Sequence, residues 1–231
     1  MKKRLLILIM AMAAISCSDD DPLANPEPEI LQPILVSKIT VLREGETEDV
    51  FYFTYDARHR MQKISYDEGI NTVELRYNDA DLVKTMVFNG NPNTLDFFYN
   101  DQDIPVAYQN SGDGTLLPVN YNAETNFYTF GPSNYILNTI GDITSTTRVH
   151  YSYTDKKGIF ANVVGPNIIM MQQLVGLFVS VGSKVAMEKV YNDTAQMFEI
   201  ETTYDDSGYP VKIAYTGLLP LHANRTYMLE Y

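Results

Sequence analysis

From residue 55 onward, apolar and polar positions alternate in short runs, and an aromatic side chain recurs every eleven residues. Tyr55, Tyr66, Tyr77, Phe88, Tyr99 and, after a miss at Asn110, Tyr121 keep that interval. Within the runs, Val73, Leu75 and Tyr77 fall on one face and Thr72, Glu74 and Arg76 on the other. Phe198, Ile200, Thr202 and Tyr204 oppose Glu199, Glu201 and Thr203 in the same way, and Val211, Ile213 and Tyr215 oppose Lys212 and Ala214. A period of two belongs to a β-strand with one buried face. Each repeat aromatic is followed by Asp or Asn: Asp56, Asp67, Asn78, Asn89, Asn100 and Asn122. The pair returns at Tyr191-Asn192 and Tyr204-Asp205, and Tyr215 follows Tyr204 by eleven. Asp and Asn open turns because their side chains bond the backbone two residues on and tolerate unusual dihedrals. An eleven-residue unit is therefore one strand of about seven residues plus a turn of about four. The pattern predicts an all-β, antiparallel up-and-down meander of about 12–16 strands over residues 34–231. So many strands seldom stay flat and open, so the sheet should curl into a barrel or half-barrel.

One stretch breaks the alternation. Residues 159–181 are strongly apolar, and after Pro166 the period of two is lost. Pro166 suits the first turn of a helix, and Ile168, Met171, Val175 and Phe178 or Val179 follow helical spacing. Gln172, Gln173, Gly176 and Ser180 leave only a narrow polar stripe, which predicts one short, mostly buried helix near 166–181. Asn162, Pro166, Asn167 and both glutamines argue against a membrane span. Such a helix would plug or cap the barrel; alternatively it is a lid over a cavity, with Met170, Met171 and Met187 as adaptable lining.

The first 33 residues have a different character. Lys2, Lys3 and Arg4 precede an apolar stretch, 5–15, of secretory-signal length. It ends Ala14-Ile15-Ser16-Cys17, which resembles the lipobox of bacterial lipoproteins, with Ala14 where Leu is commoner. That resemblance implies removal of residues 1–16 and lipidation of Cys17 as the new N-terminus. Ser18, Asp19, Asp20 and Asp21 resemble the acidic signal that Bacteroidetes-type bacteria use to export lipoproteins to the cell surface. Pro22, Pro26, Pro28 and Pro33 make residues 17–33 an extended tether. At about 3.1 Å per residue, residues 18–33 reach roughly 50 Å.

The Tyr-Asp units, such as Tyr55-Asp56…Lys63-Ile64…Tyr66 and Tyr204-Asp205-Asp206-Ser207-Gly208…Lys212-Ile213…Tyr215, resemble the YD repeats of large bacterial shell-forming proteins. Together with the lipobox and the acidic tether, they resemble a Bacteroidetes outer-membrane lipoprotein family of unknown function with a porin-like fold. The resemblance implies a β-barrel-like domain held at the outer membrane. It implies no catalytic residues.

Composition narrows the chemistry. The chain has 231 residues, 17 Lys and Arg against 29 Asp and Glu, 17 Tyr, no Trp and one Cys. Loss of the first sixteen residues would remove three cations and no acid, leaving 14 against 29. That acidity argues against nucleic acid as partner and against direct docking on an anionic membrane. A lone Cys excludes an internal disulfide and a cysteine-rich zinc site. His59, His150 and His222 lack zinc-hydrolase spacing, and no nucleophile elbow or phosphate loop is present. His59 stands among Arg58, Arg60 and Lys63, a cluster able to grip a carboxylate or phosphate, or simply a solvated hairpin start. Asp79/Asp81, Asp101/Asp103 and Asp205/Asp206 are explained by turn chemistry without calcium. Glu74, Glu199 and Glu201 are the strand carboxylates open to a glycosidase reading. Asp193-Thr194-Ala195 resembles the short O-glycosylation motif of Bacteroidetes exported proteins.

The sequence thus predicts a non-enzymatic, lipid-anchored, surface-exposed binding or scaffold protein without a cofactor or bound metal. Its membrane contact is the lipid, and its ligand is a glycan, a lipid or a protein. The alternatives are a carrier of lipid or another small hydrophobe with the 166–181 helix as lid, and a glycan-active hydrolase using paired carboxylates.

Overall fold

A computed structural model describes residues 33–89, 93–164, 183–219 and 222–231. The leader, Cys17, the acidic run and the helix expected at 166–181 lie outside the described residues. Residues 33–231 form one compact unit.

Its strands are β1 (Lys38–Arg43), β2 (Glu46–Tyr55), β3 (Met61–Tyr66), β4 (Asn71–Tyr77), β5 (Val83–Phe88), β6 (Thr94–Tyr99), β7 (Pro105–Asn110) and β8 (Leu116–Asn122). They continue as β9 (Phe127–Phe130), β10 (Ser133–Leu137), β11 (Ile143–Thr146), β12 (His150–Lys157), β13 (Val185–Tyr191), β14 (Gln196–Tyr204), β15 (Pro210–Gly217) and β16 (Arg225–Glu230). Each pairs antiparallel with its sequence neighbours, and β1 closes on β16 with Lys38 opposite Glu230 and Arg43 opposite Arg225. The meander is therefore a closed barrel, not a half-barrel. Closure removes both sheet edges and their unpaired backbone groups.

The repeat becomes concrete at one end of the barrel. Asp56, Asn78, Asn100, Asn138 and Asp205 open the same turn five times. In each, the Asx N–H donates to the carbonyl four residues on, at 3.0, 2.9, 3.0, 2.9 and 2.9 Å. The Asx Oδ1 accepts N–H groups two and four residues on, as Asn100 does from Gln102 and Ile104 at 3.0 Å each. The fourth residue is left-handed: His59, Asp81, Asp103, Gly141 or Gly208. Asp and Gly adopt that region at least cost. The strand before each turn carries a register shift, as between Arg76 and Tyr77 or Thr203 and Tyr204. This is a type I turn with a bulge, a favoured way to join antiparallel strands while keeping their twist.

The tyrosine before the turn has its own task. The Tyr55, Tyr77 and Tyr99 hydroxyls donate to the carbonyls of Val36, Met61 and Val83 at 2.8, 2.6 and 2.6 Å. Tyr231 does the same to Pro210 at 2.8 Å, and Tyr153 to Ile143. Each hydroxyl thus satisfies a carbonyl at the start of the neighbouring strand. Tyr66 and Phe88 close strands at the opposite end, where Phe88 shows that a ring suffices; Tyr66 lies 5.9 Å from the Phe51 ring. Tyr121 departs from the ladder, its hydroxyl meeting Asn126 Oδ1 at 3.3 Å. Tyr215 does not close a strand, because β15 continues to Gly217; its buried hydroxyl lies 3.6 Å from Met187 Sδ. Val211 also leaves its expected face, since the bulge opposite Tyr204 buries Pro210 instead.

The inward face forms one apolar core. Ile39, Phe51, Met61, Ile64, Val73, Met86, Phe130 and Ile143 are each 2% exposed or less. Inward rings touch in series: Phe97 to Tyr108 at 6.4 Å, Tyr108 to Phe130 at 6.3 Å, and Phe130 to Tyr135 at 6.0 Å. Beyond β12, Ile159, Phe160 and Val163 are buried, and Phe160 meets Phe53 edge-on at 5.9 Å. Gly158 permits that close passage, since a Cβ there would stand 2.3 Å from the Ser183 carbonyl oxygen.

The outward positions are mixed: Tyr52, Phe98, Val106, Leu116 and Met228 are exposed apolar or aromatic side chains, while most of the others are polar. Thr40, Glu74, Asp96, Asn120, Thr129, Asn134, Lys189 and Glu201 stand on the outer wall, on the face opposite the buried partners. A membrane-spanning barrel has a lipid-facing apolar band and a polar interior. Here the interior is apolar, and the outer wall carries charged side chains in mid-strand, Glu74, Lys189 and Glu201 among them.

Candidate functional site

The basic cluster seen in the sequence is split by the β2–β3 turn. Arg60 Nε donates to Asp56 Oδ2 at 2.7 Å and Nη1 to Asp81 Oδ1 at 2.8 Å, while its guanidinium lies 4.6 Å from the Tyr77 ring centroid. Arg58 is paired with Asp81 as well. Burial raises the Asp56 pKa, but hydrogen bonds from Arg60 and from the Arg58 and Arg60 backbone outweigh it and leave the carboxyl below its ordinary value. Both arginines are thus neutralised within the rim. His59 occupies the left-handed turn position, and its carbonyl accepts Val164 N–H at 3.0 Å.

Lys63 goes elsewhere. It lies on the outer wall between Thr54 of β2 and Glu74 of β4, directly opposite each. Thr54, Gln62, Lys63, Glu74, Leu75 and Arg76 line a shallow depression of about 350 Å³. Tyr52, two residues before Thr54 on the same face, is 46% exposed. Arg76 was not singled out in the sequence, because alternation marks it only as an outward residue.

His150 bridges three hairpins. Its Nδ1 lies 3.0 Å from Ser145 Oγ, its Nε2 2.9 Å from Asp193 Oδ1, and its ring stacks on Tyr191 at 5.4 Å. The residue types are those of a hydrolytic triad, and Ser145 Oγ lies 3.0 Å from both His150 Nδ1 and the Thr146 carbonyl oxygen. The trio joins β11, β12 and the β13–β14 turn. His222 has a different setting: its ring stands edge-on to Phe198 at 4.9 Å, with Nδ1 buried and unpartnered.

The strand carboxylates do not face one another. Glu74 lies on β4, and Glu199 and Glu201 sit side by side on the convex wall of β14. Glycoside hydrolysis needs two carboxyl groups on opposite sides of a bond, and these three are not so placed. The aspartates of the suggested calcium pairs lie in turns, with Asp81 engaged by both arginines. Thr194 is exposed in a tight turn, its hydroxyl donating to Asn192 Oδ1 at 2.9 Å.

Asp142 is a functional-looking group that the sequence did not reveal. It is 4% exposed and accepts the N–H groups of Lys184 at 2.9 Å and Val185 at 3.2 Å. Burial pushes its pKa up, and those two backbone donors pull against the rise. It anchors the start of β13, and its partners are too distant in sequence for any local pattern to expose them.

No protein-family model matches the chain, and no curated protein does. Solved structures similar to it include a porin-like protein from Bacteroides uniformis, 14% identical, with a TM-score of 0.41 over 84% of this chain and 97% of that one. A porin-like protein from Bacteroides vulgatus is 12% identical, with a TM-score of 0.43 over 86% of this chain and 99% of that one.

Proposed function

We propose that the protein is a non-enzymatic binding or scaffold lipoprotein, anchored through lipid on Cys17 and displayed on the outer face of the outer membrane. The observation that carries this reading is the barrel's apolar interior together with charged side chains in mid-strand on its outer wall. An outer wall bearing Glu74, Asp96, Lys189 and Glu201 in mid-strand is suited to water, since each buried charge in lipid is costly near the bilayer midplane. A barrel of that kind at a membrane needs a separate anchor, and residues 1–17 supply a leader and a lipidatable cysteine. Residues 18–33 then act as spacer, with Ser18, Asp19, Asp20 and Asp21 as the export signal.

Cell fractionation of Cys17→Ala tests the anchor. The variant should appear in the soluble fraction; retention in the membrane would overturn the lipid-anchor reading. A second reading, a carrier of lipid or another small hydrophobe, draws on the apolar inner wall of a sixteen-strand circumference. Barrels of that strand number ordinarily leave a lumen. Mass spectrometry of organic extracts from the purified protein should find a bound lipid if the carrier reading holds; its absence counts against it.

A further inference from the structure

We propose that the outer wall of β2, β3 and β4 binds an acidic saccharide, with Lys63 and Arg76 taking a uronic carboxylate and Tyr52 stacking on a sugar ring. This rests on the binding reading above and specifies its ligand class.

The placement follows from register. Thr54, Lys63 and Glu74 form one cross-strand row. Tyr52 lies two residues from Thr54 along β2, and Arg76 two residues from Glu74 along β4. Residues two apart on one face are separated by about 7 Å, and neighbouring strands by about 5 Å. These five groups therefore span an area suited to a short saccharide, around the depression lined by Gln62, Lys63 and Arg76.

The charges point to an acid. The chain carries a formal net charge of −12, and its rim arginines are already paired with Asp56 and Asp81. Lys63 and Arg76 have no ion-pair partner among the described residues. Lys38, which faces Tyr52, is occupied by Glu230 at 2.6 Å. Arg76 offers a planar fork matched to a carboxylate, and Lys63 a mobile point charge.

The remaining groups point to a sugar rather than a bare anion. Glu74 stands opposite Lys63 and would repel an isolated oxyanion, but it accepts hydrogen bonds from hydroxyls. Gln62 and Thr54 can donate and accept. Tyr52 presents an apolar ring face with a polar tip. A protein partner would want an apolar centre within a polar rim, whereas this depression is polar throughout except for Leu75.

Calorimetric titration of the purified lipoprotein tests the site, using oligogalacturonate, oligoglucuronate, a neutral galacto-oligosaccharide of equal length, and inorganic sulfate. At least one uronate should bind, with an affinity about tenfold or more above the neutral chain and falling as salt is raised. Arg76→Ala and Tyr52→Ala should each weaken uronate binding about fivefold, the scale of an exposed charge or ring contact, while thermal stability stays unchanged. Arg76→Lys, which keeps the charge and loses the fork, should fall between. Glu74→Gln should weaken uronate binding and strengthen that of sulfate. Equal affinity for neutral and acidic chains, no binding of either uronate, or unchanged affinity in Arg76→Ala and Tyr52→Ala would overturn the assignment. Any of these results leaves the Cys17→Ala fractionation outcome intact, so the two readings fail separately.

Discussion

Replacing Tyr77 by Phe isolates one hydroxyl of the tyrosine ladder. The ring stays, with its packing and the Arg60 guanidinium 4.6 Å above it. What is lost is the bond to the Met61 carbonyl at 2.6 Å, in a partly buried position at the head of β3. Leaving a buried acceptor unsatisfied costs about 1–3 kcal/mol. For a domain of this size each kcal/mol moves Tm by about 2–4 °C. Tyr66→Phe is the matched control, because Tyr66 holds the equivalent place at the other end, where Phe88 already stands without a hydroxyl. Its effect should stay within about 0.5 kcal/mol. Urea and thermal unfolding of the two variants beside the parent give the comparison directly. If Tyr77→Phe and Tyr66→Phe shift stability equally, the hydroxyls do not hold strand ends and the asymmetry of the repeat is only packing.

Asn100→Ala removes an Oδ1 that accepts two backbone N–H groups at 3.0 Å, and should lower stability by about 1–2 kcal/mol in chemical denaturation; Asp101→Ala, in the same turn without those bonds, should do little. Alkali should unfold the barrel. Burial pushes the Tyr128 and Tyr151 phenols up to about 12, and those of Tyr55, Tyr77, Tyr153, Tyr215 and Tyr231 higher still. The unfolded chain ionises its tyrosines near pH ~10 and so binds fewer protons than the folded one above it. Stability from this source is complete below pH ~10 and is lost as pH rises beyond it. Tyrosinate absorbance should therefore grow together with loss of the β-sheet circular dichroism signal; complete ionisation with the sheet intact would contradict the burial.

The legible part of this fold was local. Strand alternation around Val73, Leu75 and Tyr77, and the Asx residue after each aromatic, are set by period and turn chemistry, both of which act within a few residues. Asn138 escaped notice because Leu137 precedes it where the pattern has tyrosine, although Gly141 kept the left-handed position of the turn. Closure depends on β1 meeting β16, a pairing between the ends of the domain that no short-range pattern specifies. The basic cluster also misled: Arg58, Arg60 and Lys63 are close in sequence, but a bulged turn sends two of them to Asp81 on the rim and the third to the outer wall. The placement of Lys63 and Arg76 around one depression, and the bonds of Asp142 to the Lys184 and Val185 N–H groups, exist only through tertiary structure. In each case the residue type was visible and its neighbour was not.

The central claim is that the outer wall faces water. Single cysteines introduced at Asn120 and Glu201, both outward and exposed in mid-strand, test it against a turn control at Asp113. The protein is treated in isolated, opened membranes with a charged, membrane-impermeant maleimide, and the parent, whose one cysteine is Cys17, gives the background labelling to subtract. The account predicts that Asn120→Cys and Glu201→Cys react as fast as Asp113→Cys. Protection of the two wall positions while the turn position reacts would place the wall in lipid and contradict it.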